Sequence, residues 1–134
     1  MNERRKNGTR FTPQEMNGIL YGGLNGLNYY NEQGYSHGDF NPLYMAVDNG
    51  NYRIINRQDY PFQTKQNMFI QKNKLLGKQN LYCSPMVYQN LKNGNTNFNY
   101  DPRKEDCYAL GLTMLEAGTG ESIQNIYNPQ TGIV

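Results

Sequence analysis

The chain has 134 residues, enough for one domain around a single core. A formal net charge of +2 and a pI near 8.5 lack the basic footprint of a nucleic-acid binder, and they give charge repulsion no reason to unfold the chain. Mean hydropathy is −0.88 although only 18% of residues are charged, because the polarity comes from 20 Asn and 10 Gln. These amides are dispersed among helix and strand patterns, as an AT-rich coding sequence would leave them, rather than gathered in a prion-like tract.

No apolar run reaches the length of a membrane span, and the first residues lack the apolar core of a signal peptide. The expected setting is therefore cytoplasmic. The composition bias adds a guess of a protist source and of a cytoskeletal or ciliary complex. Cys83 and Cys107 offer no CxxC pair, and His37 is the single histidine, so neither a metal nor a cofactor is expected. Both cysteines are expected to be reduced and buried. Arg4, Arg5, Lys6 and Arg10 form a solvated basic tail over residues 1–11.

Thr12, Pro13 and Glu15 carry the signature of a capping box with proline at the first helical position. Met16, Ile19, Leu20, Leu24, Leu27 and Tyr30 then share one helical face, predicting a helix to about Asn31 that stops near Gly34. Gly18, Gly22, Gly23 and Gly26 each cost such a helix roughly 1 kcal/mol against alanine. They also let another backbone come close. Tyr44 to Val47 and Tyr52 to Ile55 read as two short strands joined by Asp48-Asn49-Gly50-Asn51, a sequence suited to a tight hairpin turn.

The segment 56–84 has no sustained period and reads as a long functional or mobile loop. Pro85 opens a short helix with Val87, Tyr88 and Leu91 on one side, and Asn93 to Asn97 is a linker. Asp101 and Pro102 start a helix from about Arg103 to Ala117, with Glu105 and Asp106 in its first turn where the dipole favours negative charge. From Cys107 to Leu115 only Thr113 is clearly polar, so this helix is expected to be buried on most sides at the centre of the core. Residues 121–134 read as a loop or tail.

In this order the pieces resemble the C-terminal lobe of the protein-kinase fold over residues 12–120. His37-Gly38-Asp39 stands at the HRD position, after a helix that looks like the one leading into the kinase catalytic loop. Asn56-Arg57-Gln58 falls at the DFG position. Tyr82-Cys83-Ser84-Pro85-Met86 resembles the end of an activation segment, and Asp106-Cys107-Tyr108-Ala109-Leu110-Gly111 resembles the start of the buried central helix. The resemblance implies a mainly α (α+β) fold: long helix, catalytic-loop β-hairpin, activation-segment-like loop, short helix and buried central helix. It also implies that Asp106 accepts backbone N–H groups from the loop around His37, a structural role for both residues.

The departures bear on chemistry. Asp39 keeps the catalytic-base position. Tyr44 and Asn56 replace the Asn and Asp that would hold magnesium, and Asn41 replaces the catalytic-loop Lys. Metal and charge are most of what such a site contributes. Gly38 also replaces the Arg that receives an activation-loop phosphate, and Met86 replaces a Glu that would form an ion pair. Neither an N-terminal lobe nor the later helices are expected within this chain. The expectation is a catalytically inactive kinase-like fragment, a pseudokinase, serving as a structural or protein-interaction module in a larger assembly. Its protein partners would cover the incomplete lobe, with no nucleic acid and no membrane. The alternatives are a divergent phosphotransferase or an active-site-bearing part of a longer kinase chain. Twelve tyrosines could suggest base stacking, but without a basic groove they fit core edges or an interface better.

Overall fold

A computed structural model describes residues 10–34, 37, 40, 42–48, 50–54, 82–95 and 100–134. Asp39, Gly38, Asn41, Ile55, Asn56, the segment 56–81 and the basic residues of 1–9 lie outside the described residues. The described elements are helix α1 (Pro13–Glu32), a 3-10 turn (Pro42–Tyr44), strands β1 (Met45–Asp48) and β2 (Asn51–Ile54), and helices α2 (Pro85–Lys92), α3 (Pro102–Thr119) and α4 (Ile123–Ile126). The fold is mixed α and β and mostly helical.

Helix α1 begins where its caps place it. Glu15 N–H donates to Thr12 Oγ1 at 3.1 Å and Thr12 N–H to Glu15 Oε1 at 3.0 Å, so two otherwise orphaned donors are satisfied reciprocally. Just before the cap, Phe11 N–H donates to the Ala117 carbonyl at 3.2 Å, tying the start of α1 to the end of α3. Ile19, Leu27 and Tyr30 are buried as the periodicity requires. Leu24 is not: it is 42% exposed, and Gly23 takes the inward position instead. The reason is close packing on α3, because a Cβ at Gly23 would lie 2.5 Å from Leu110 Cδ1.

The other glycines of α1 face the hairpin. Gly18, Gly22 and Gly26 repeat every four residues, which stacks them on one stripe of the helix. A Cβ at Gly18 would meet the Tyr52 ring at 2.7 Å, one at Gly26 would meet Ile54 Cδ1 at 2.7 Å, and one at Gly22 would meet the Tyr52 carbonyl oxygen at 2.1 Å. Helix α1 therefore lies flush on the β2 backbone. The roughly 1 kcal/mol per glycine lost in helix propensity is offset by this approach. The hairpin is antiparallel, with Met45 opposite Ile54 and Asp48 opposite Asn51. That register leaves two positions between the strands, and Gly50 there takes φ +81°.

Helix α3 starts on Asp101, whose Oδ1 accepts from Arg103 N–H at 2.9 Å, and ends at Gly120 with φ +72°. It is buried at Ala109, Leu110, Leu112, Thr113 and Ala117, and its apolar residues among these share one core with Ile19, Leu27, Phe40, Met45 and Tyr82. Cys107 and Gly111 lie on its open side, so the expectation of a buried Cys107 is corrected: the residue is exposed, while Cys83 is fully buried. The stretch 121–134 is more than a loop. Helix α4 and the Asn128–Ile133 bridge fold it back, and Ile123 and Tyr127 enter the core at 1% and 6% exposure. A second, smaller cluster joins Cys83, Val87 and Leu91 with Tyr88 and Tyr100 under α2.

Candidate functional site

Three carboxylates of α3 are buried: Glu105, Asp106 and Glu116. A buried carboxylate needs donors, and each of these takes them from a segment distant in sequence. Asp106 Oδ2 accepts the His37 N–H at 2.7 Å, across 69 residues. Glu105 Oε2 accepts the Ser84 N–H at 3.2 Å, and its Oε1 accepts the Ser84 hydroxyl. The same Ser84 hydroxyl oxygen accepts from Val87 N–H and so caps α2. Glu116 Oε2 accepts both Tyr82 Oη at 2.9 Å and Ile123 N–H at 2.7 Å. Helix α3 is thus the post to which His37, the entry to α2 and the C-terminal segment are tied.

His37 is fully buried, and its ring sits among three others. Tyr30 of α1, Phe40 and Tyr44 meet it edge to face, with centroids 5.4, 5.8 and 4.9 Å away. Such T-shaped contacts are each worth about 0.5–1.5 kcal/mol beyond burial. The sequence-derived candidates His37, Tyr44 and Asp106 are therefore brought together, with the His37 ring packed on Tyr44 and its backbone N–H on the Asp106 carboxylate. Asp39 and Asn56 lie outside the described residues. Among the described residues no group of three His, Cys, Asp or Glu side chains gathers as a metal set, and no helix is long and apolar enough to cross a membrane.

A second polar chain closes the other end. Tyr127 Oη donates to the Cys83 carbonyl at 2.9 Å, and Tyr108 Oη lies 2.9 Å from Tyr127 Oη. Since Tyr127 spends its one proton on Cys83, Tyr108 is the donor of that pair. Burial pushes the Tyr127 phenol well above its ordinary range. Tyr100 is raised too, by burial and by Glu105 and Asp106. Phenols whose folded pKa is raised contribute stability that is complete below the unfolded value of about 10 and is lost as pH rises from there. Tyr127→Phe is expected to lose about 1 kcal/mol at neutral pH. It should also flatten the fall of stability above about pH 10 in urea unfolding followed against pH.

Although Cys107 is exposed, partial desolvation on the helix surface and the charges of Asp106 and Asp101 push its thiol up, which keeps it protonated and a poor nucleophile at neutral pH. Between α1 and β2 runs an open groove of about 530 Å³, lined by Gly18, Tyr21, Gly22, Asn25, Tyr52 and Arg53 among others. Sequence reasoning did not single out Glu116 or Tyr127, and it named Ser84 only within the activation-segment-like stretch Tyr82 to Met86. An acid at 116 among Met114, Leu115 and Ala117 was the available signal. No known family profile, no curated protein and no solved structure matches this chain.

Proposed function

We propose that this chain is a catalytically inactive, kinase-like lobe that serves as a protein-interaction module within a larger assembly. The observation that carries the reading is the His37 N–H bond to Asp106. It joins the residue at the first place of the HRD-like motif to the N-terminal part of the central helix, the tie that the resemblance implies. The order of long helix, turn, hairpin, short helix and buried helix supports the same reading. Tyr44, at the position of a metal-binding Asn, packs its ring on His37 and brings no amide oxygen for a hard cation. Interaction is supported by large apolar side chains left on the surface of α1, with Tyr21 67%, Leu24 42% and Tyr29 49% exposed.

The purified chain is expected to give no magnesium- and ATP-dependent thermal shift and no phosphotransfer above background to protein, peptide or small-molecule acceptors. Sedimentation should show association as concentration rises. Transfer above background revives the phosphotransferase reading. A cooperatively unfolding monomer at every concentration counts against an interaction module.

A further inference from the structure

We infer that Asn93 is a site of spontaneous deamidation set by the fold, and that the reaction there unlocks the C-terminal end of α2. The chain holds five Asn-Gly pairs, the dipeptide in which the following backbone is least hindered. Asparagines 17, 25 and 93 of these pairs lie among the described residues. The reaction needs the backbone nitrogen after the asparagine to reach the side-chain amide carbon, so the local backbone must be free to rotate.

Two of the three sites deny this. Asn17-Gly18 and Asn25-Gly26 lie inside α1, where each glycine nitrogen belongs to a helical ladder. Their glycines are also pressed on Tyr52 and Ile54. Asn93-Gly94 is different. Asn93 is the C-cap of α2, both residues are exposed, Gly94 is at φ +70°, and nothing lies within 4 Å of where its Cβ would be. A single turn bond, Gly94 N–H to the Leu91 carbonyl at 3.1 Å, holds that nitrogen at a frayable helix end.

The chemistry needs only water. The deprotonated Gly94 nitrogen attacks Asn93 Cγ, a C–N bond forms, the Cγ–Nδ2 bond breaks and ammonia leaves, giving a succinimide. Water then opens either carbonyl, leaving aspartate or isoaspartate. A carboxylate at this place faces the negative end of the α2 dipole. Isoaspartate also adds a methylene to the main chain. That displaces Gly94 from Leu91, and Asn95 from Asn90, to which it is bonded through both backbone and side chain at 2.8 Å. Leu91, 2% exposed in the small cluster with Cys83 and Val87, is the residue this cap keeps in place.

The test is peptide mapping by mass spectrometry of the whole folded chain aged at mildly alkaline pH, with a parallel sample in concentrated urea. In the folded chain the amide-to-acid mass gain is expected at Asn93 at least about tenfold faster than at Asn17 or Asn25, because the helical sites react only through local opening. In urea the three rates should converge. Asn93→Gln should abolish the gain at that position while leaving the other two rates unchanged. Equal rates in the folded chain, or the same ranking in urea, overturns the inference.

Discussion

Replacing Gly22 by alanine lowers stability by about 1–3 kcal/mol, the ordinary cost of overpacking, even though alanine is the better helix former by about 1 kcal/mol. The new methyl would sit 2.1 Å from the Tyr52 carbonyl oxygen, a backbone atom held in β2 that cannot swing aside. Relief requires α1 to lift off the hairpin. Gly111→Ala is the counterpart. That residue lies in the interior of α3 with open space where its Cβ would be. Alanine there stabilises by about 0.5–1 kcal/mol through helix propensity alone. Denaturant unfolding of the two variants should therefore move in opposite directions. A Gly22→Ala variant as stable as the parent, or more stable, contradicts the packing described for α1 on β2.

Asp106→Ala is the second large effect, with an expected loss of about 2–4 kcal/mol. It leaves the His37 N–H in the interior without its carboxylate, a penalty of about 1–3 kcal/mol, and adds the cost of the emptied space. Asp106→Asn keeps an acceptor oxygen and should lose less. Hydrogen exchange of the His37 amide separates the two. It should become fast in the alanine variant, at conditions where amides of α1 remain protected. Unchanged protection of that amide would mean the tie to α3 is not what holds His37 in place.

Local chemistry was the legible part of this sequence. The capping box at Thr12, the Asp101-Pro102 start of α3 and the Asn-Gly hairpin are contained within a few residues, and each element begins within a residue or two of its signal. What pairs across the chain was harder to read. The periodicity of α1 places Leu24 inside, yet Gly23 faces in because Leu110 needs the space. Cys107 sits in an apolar run but falls on the open side of α3. Glu105 reads as a first-turn acid for the helix dipole, whereas it is 7% exposed and holds Ser84. The tail gave no sign of structure because Ile123 and Tyr127 acquire theirs from Glu116 and Cys83, contacts with no local signature. The same limit applies to the candidate site. His37 and Asp106 were named through a resemblance, and the aromatic ring set around His37 joins α1 to the 3-10 turn only in three dimensions.

On the proposed reading, His37 is a packed anchor on Asp106 in a kinase-like lobe without a metal–nucleotide site. NMR of the His37 imidazole during titration with magnesium and ATP tests it most directly, since that ring's centroid lies 4.9 Å from that of Tyr44, the residue the proposed reading sets at a metal-ligand position. The account predicts resonances that stay fixed to saturating nucleotide. A saturable, magnesium-dependent shift would contradict it.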